Sequence, residues 1–133
     1  MSCNSALYCA NTSKQPFIEG GTIPFGSIVR RFGGNVQLDG QNIMLMGSGY
    51  YDVEVSATLS PSATGDIAVQ LYQDGVAVPG ATASATIAAA NDFCNLDISC
   101  LVRNCGCNCN SMMSLGVDGA GTLENLATVV KKV

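Results

Sequence analysis

The chain has no histidine and no tryptophan among its 133 residues, and only 12% of it is charged. Without histidine there is no Ser-His-Asp or Cys-His nucleophile system, no histidine-based metal triad and no ordinary general base. There is no GxxxxGK phosphate loop, and Gly47-Ser48-Gly49 is not followed by the helix that such a site needs. The ten carboxylates are scattered, several of them at turns (Asp39, Asp74, Asp118). Asp52 and Glu54 share a strand face at an i,i+2 spacing that would suit paired acids or a calcium contact, but a solvated strand face explains them more simply. No enzymatic activity, no cofactor and no resident metal are expected.

Positive charge is equally scarce. Six Lys and Arg against ten acids leave a net charge of −4 and no basic stripe, so nucleic acid is not an expected partner. Arg30–Arg31 and Lys131–Lys132 read as solvated or subunit-contact charges. No apolar run is long enough to cross a bilayer, so no membrane partner is expected. The start, MSCN, has neither a charged n-region nor an apolar h-region, which predicts synthesis in a host cytoplasm without a signal peptide. A surface this poor in charge is either coated with uncharged polar side chains or covered by neighbouring subunits.

Helical periodicity is missing too; alternation takes its place. In residues 47–59, GSGYYDVEVSATL, Tyr51, Val53, Val55, Ala57 and Leu59 fall on one face and Tyr50, Asp52, Glu54, Ser56 and Thr58 on the other. Successive strand side chains point to opposite faces, so this is an antiparallel strand with one buried side. Residues 93–103 repeat the pattern, with Cys94, Leu96, Ile98, Cys100 and Val102 on the apolar face. Further strands are expected at 6–9, 22–24, 27–32, 35–38, 43–46, 67–72, 76–78 and 81–88, through Met113, Leu115 and Val117, and at 123–133. Asp39–Gly40 and Asp74–Gly75 supply hairpin turns, and Pro79–Gly80 a break. IMLM (43–46) is apolar on both sides, as in a doubly covered strand. Many short strands between turn signals predict an all-β antiparallel sandwich. Residues 1–16 read as a polar N-terminal arm and 17–133 as one domain.

Seven cysteines are an odd number, so at least one thiol is free, metal-bound or intermolecular. In an extended segment the thiols of Cys105, Cys107 and Cys109 all point the same way. Structural zinc uses C-x2-4-C pairs and four ligands, so C-x-C-x-C is an incomplete match. Three chains meeting at an axis would supply the missing ligands or form interchain disulfides. The plainer reading is a thiol-rich loop, reduced when made and later partly oxidised. The disulfide candidates are then Cys3, Cys9, Cys105, Cys107 and Cys109. Cys94 and Cys100 act as small hydrophobes.

The Gly49-Tyr50 start of the long strand resembles the C1q/tumour-necrosis-factor-like (C1q/TNF-like) jelly-roll family. The hairpin IAVQLYQDGVAVPGA (67–81) and the strand LDISCLVRN (96–104) continue that resemblance across residues 17–133. The last strand, LATVVKKV, departs from it in lacking an aromatic-glycine motif. The low charge, the Ala, Thr and Gly content, the IVRRFG segment and the VVKKV end look most like small bacterial members and those of phages of Firmicutes. The resemblance implies a jelly roll assembled as a homotrimer. It also implies a non-catalytic virion protein, a capsid decoration or head-fibre knob on the capsid surface, whose partners are its own copies and capsid or other virion proteins. A knob on a bacterial cell or spore surface is the alternative, as is a module of the same fold that binds surface glycans or a receptor through Tyr50, Tyr72 and the loops at 60–65 and 89–92.

Overall fold

The computed structural model describes residues 5–104 and 110–133, and these form twelve β-strands and no helix. In chain order they are β1 (Ala6–Asn11), β2 (Gln15–Phe17), β3 (Thr22–Ile23), β4 (Ser27–Phe32), β5 (Val36–Asp39) and β6 (Asn42–Met46). The chain continues with β7 (Gly49–Pro61), β8 (Gly65–Gln73), β9 (Val76–Ile87), β10 (Cys94–Asn104), β11 (Asn110–Asp118) and β12 (Gly121–Lys132). They make two antiparallel sheets. The first runs β4-β1-β12-β7-β10, with β2 on β12, and the second runs β5-β6-β11-β8-β9, with β3 on β11. After the β8–β9 hairpin the chain changes sheet at each step, from β9 to β10, β11 and β12. That alternation is the jelly-roll way of closing a two-sheet core.

The core follows from the alternation in the sequence. Along β7, Tyr51, Val53, Val55, Ala57 and Leu59 are all buried, and β7 is hydrogen-bonded on both sides, to β10 and β12. Leu7, Leu96, Ile98, Val102, Leu126 and Val130 complete this sheet's inner face. The second sheet supplies Ile43, Leu45, Val69, Leu71, Met113 and Leu115, with Phe25 between the elements. Removal of this much apolar surface from water is the main force holding the layers together.

Three details differ from the expectations. β1 is a full member of the first sheet, flanked by β12 and β4, so residues 6–11 are not part of an arm. Its inward positions, Leu7, Cys9 and Asn11, are buried at every second residue, so the strand expected at 6–9 runs on to Asn11. β9 continues through Pro79–Gly80: the pair becomes an irregularity opposite β8, where Gly80 takes a positive φ of 80°. β9 lies at a sheet edge, where proline's missing N–H is tolerated. Within one chain β6 buries only Ile43 and Leu45; Met44 and Met46 stay half-exposed on the far side.

One end of the sandwich is tied by a polar cluster. The Tyr51 hydroxyl donates to the carbonyl of Gly47 at 2.8 Å, and Asn104 Nδ2 donates to the same oxygen at 2.8 Å. The Ser111 hydroxyl donates to Asn104 Oδ1 at 2.6 Å, and the Ser5 hydroxyl to Asn35 Oδ1 at 2.9 Å. Gly47 has a φ of 109°, and a Cβ there would run into the Asn35 amide, so glycine is required. These bonds hold the bend that separates β6 from β7.

Candidate functional site

The outer face of the first sheet is the surface with the most to explain. Strand pairing lays its side chains out in rows. One row runs Leu101, Asp52, Lys131, Ala6, Phe32 across β10, β7, β12, β1 and β4. The next runs Ser99, Glu54, Val129, Tyr8, Arg30. The third runs Asp97, Ser56, Ala127, Ala10, Ser27. Large apolar groups stand in water on this face: Phe32 is 62% exposed and Leu101 57%, with Tyr8 and, beyond the first row, Tyr50 also exposed. Between them lie Ala6, Ala10 and Ala127, which keep the face flat enough for close approach. All six residues of the edge strand β4 are exposed. Exposed apolar groups gathered on one sheet face, with the Asp52–Lys131 pair between them, mark a candidate interaction surface.

Two hollows lie on this face and share Val129 as a border. One, of about 510 Å³, is lined by Tyr8, Val29, Arg30, Arg31 and Phe32 at the β4 edge. The other, of about 360 Å³, is lined by Glu54, Ser56, Asp97, Ser99 and Ala127 on the β7–β10 side. Positive and negative charge are thus separated across one face. Among the described residues, Lys131 pairs with Asp52 at 3.9 Å and Lys14 with Glu124 at 3.2 Å, while Arg30, Glu54 and Asp97 take part in no ion pair.

Asp52 and Glu54 do lie side by side on this outer face, with Asp52 turned to Lys131. Among the described residues no group of three or more Cys, Asp and Glu is placed to hold a metal ion. Cys3, Cys105, Cys107 and Cys109 lie outside the described residues. Cys9 is a free thiol, fully buried, and burial pushes its pKa up to about 11. A thiol that hard to ionise is a poor nucleophile for disulfide exchange. Cys94 and Cys100 are free and partly buried. Burial raises both; the Asp52 charge raises Cys100 further, and a backbone hydrogen bond at Leu59 pulls Cys94 back.

Of the proposed recognition residues, Tyr50 lies on the first sheet's outer face and Tyr72 on the second's, so the structure does not bring them together. Tyr72 lies over Gly116 of β11, where a Cβ would meet its ring at 2.7 Å. It borders an open groove of about 610 Å³ with Glu19, Gln70, Ser114 and Asp118. The open face of the first sheet was not legible as a site in the sequence. Its one local signal is Leu101, an apolar residue at an outward position between Ser99 and Arg103.

No protein-family model matches the chain, and no curated protein matches it. Solved structures do. Murine APRIL matches with a TM-score of 0.75 at 10% identity, covering 98% of this chain and 100% of that one. The globular domain of zebrafish complement 1qA matches with a TM-score of 0.63 at 8% identity, covering 96% and 94%. PRD1 vertex protein P5 matches with a TM-score of 0.63 at 16% identity, covering 96% and 95%. Identities this low speak to fold, and the coverage is nearly complete in both directions. The chain has the C1q/TNF-like jelly-roll fold.

Proposed function

We propose that this protein is a non-catalytic, homotrimeric structural protein of a virion, a knob displayed on a phage capsid. The observation that carries the self-association is the open face of the β4-β1-β12-β7-β10 sheet, with Phe32, Leu101, Tyr8 and Tyr50 exposed around small alanines. A chain with 12% charged residues has little else to keep such a face in solution, and identical copies are the partner always present. The virion placement is supported by the likeness to PRD1 vertex protein P5. Capsid or other virion proteins are then the docking partners. Light scattering is expected to give three chains per particle, and the protein is expected to co-purify with virions. A stable monomer at micromolar concentration, or absence from purified particles, would count against the reading.

A second reading, a glycan- or receptor-binding module, has the Tyr72 groove in its favour. An aromatic wall beside Gln70, Ser114 and two carboxylates is the kind of surface that stacks on and hydrogen-bonds to a sugar ring. A glycan array probed with wild type and Tyr72→Ala tests it; binding that is absent, or unchanged by the substitution, removes its support.

A further inference from the structure

The open face is not uniform. Arg30 stands at its β4 end, and Glu54 and Asp97 stand at its β7–β10 end. Within one chain they cannot meet. Arg30 and Glu54 share a row but are three strands apart, about 14 Å at the usual strand spacing. Glu54 and Asp97 sit diagonally on adjacent strands, near enough to repel each other, and among the described residues neither has an ion-pair partner. The basic hollow at one end and the acidic hollow at the other are separated only by the Val129 ridge.

We infer that Arg30 of one copy docks in the acidic hollow of the next, against Glu54 and Asp97. The inference rests on the self-association proposed above and specifies its geometry. A ring forms when one patch of each copy meets a different patch of its neighbour and the rotation between copies closes. Here the two patches are opposite ends of a single sheet face and carry opposite charge. The exposed edge strand β4 brings its apolar residues Val29 and Phe32 with Arg30, so the guanidinium is desolvated beside apolar contact. Arginine suits that position because its planar fork can engage two carboxylates and is weakly hydrated. The same pairing selects register: like ends brought together would oppose arginine to arginine and acid to acid.

The test is charge reversal followed by sedimentation of the full chain. Arg30→Glu and Glu54→Arg, made singly, are each expected to raise the dissociation constant of the assembly tenfold or more. The two together in one chain are expected to bind at least about fivefold more tightly than either single variant, because positions 30 and 54 again carry opposite charges, with Asp97 left as the one like charge. Glu54→Gln with Asp97→Asn removes the acidic charge without reversing it and keeps the test open should a reversal unfold the chain; weaker assembly is again expected. Unchanged assembly in the single variants, or no rescue in the double, overturns the pairing while leaving the oligomer intact. A monomeric wild type overturns the self-association itself.

Discussion

Asn104, at the end of β10, donates from Nδ2 to the carbonyl oxygen of Gly47, 57 residues earlier in the chain, at 2.8 Å. The Tyr51 hydroxyl reaches the same oxygen, so one carbonyl at the β6–β7 bend accepts from the adjacent strands β7 and β10 of the first sheet. Asn104 is buried, and its Oδ1 accepts from Ser111 at the start of β11. The side chain therefore fastens the end of β10 to the bend and to the next strand at once.

Asn104→Leu leaves the Ser111 hydroxyl buried without its acceptor and is expected to cost about 2–3 kcal/mol. Tyr51→Phe is expected to cost about 1 kcal/mol, since Asn104 still serves Gly47. Together they leave that carbonyl without either donor, so the double variant should lose more than the sum by about 0.5–1 kcal/mol. Urea unfolding of the four proteins measures the cycle.

Thr128 is fully buried opposite Cys9 and Val55, and its hydroxyl is a buried side-chain group that finds no hydrogen-bond partner among the described residues. Thr128→Val replaces that hydroxyl with a methyl of similar size. The variant is expected to be more stable than wild type by about 1 kcal/mol, read from the shift in denaturation midpoint.

Cys9 provides a pH handle. Its pKa is raised from 9.0 to about 11 in the folded chain, so between those values the folded state holds a proton that the unfolded state has released. The stability contributed by the neutral thiol is complete below about pH 9 and is lost as pH climbs towards 11, with a slope of at most about 1.4 kcal/mol per pH unit. Cys94 and Cys100 push in the same direction. Cys9→Ala should flatten the alkaline part of the stability profile measured by urea unfolding. At neutral pH, native Cys9 should also resist thiol-directed alkylation until denaturant is added.

On the open face, Phe32→Ser and Leu101→Ser remove exposed apolar area without touching the core. Each is expected to weaken self-association about tenfold or more and to change the stability of the isolated chain by less than about 0.5 kcal/mol. Sedimentation and urea unfolding separate the two effects.

Much of the architecture could be read directly. The alternation of Tyr51, Val53, Val55, Ala57 and Leu59 names a strand and its buried face, because a period of two has no other structural meaning. Asp74–Gly75 names a hairpin turn and forms the one between β8 and β9; the β5–β6 hairpin turns one residue later than Asp39–Gly40 suggests, at Gly40 and Gln41, with Asp39 still paired to Asn42. β1 was legible as a short strand at 6–9 but not as an inner member of the sheet, because only Leu7, Cys9 and Asn11 face inward and one of these is polar. Pro79–Gly80 looked like a break because local chemistry cannot distinguish a turn from an irregularity in an edge strand.

The functional surface is a matter of assembly in three dimensions. Tyr8, Phe32, Glu54, Leu101 and Val129 are scattered from residue 8 to residue 129, and each taken alone is an ordinary strand residue. What the amino-acid sequence determined is local: which segments are strands, which side of each is apolar, where the chain turns, and, through the absence of histidine, which chemistries are missing. What only the tertiary structure decided is adjacency. Pairing registers between strands distant in sequence put arginine at one end of an apolar face and carboxylates at the other. Hydrogen bonds between strands are made by backbone groups that every residue carries, so no single residue type announces its partner.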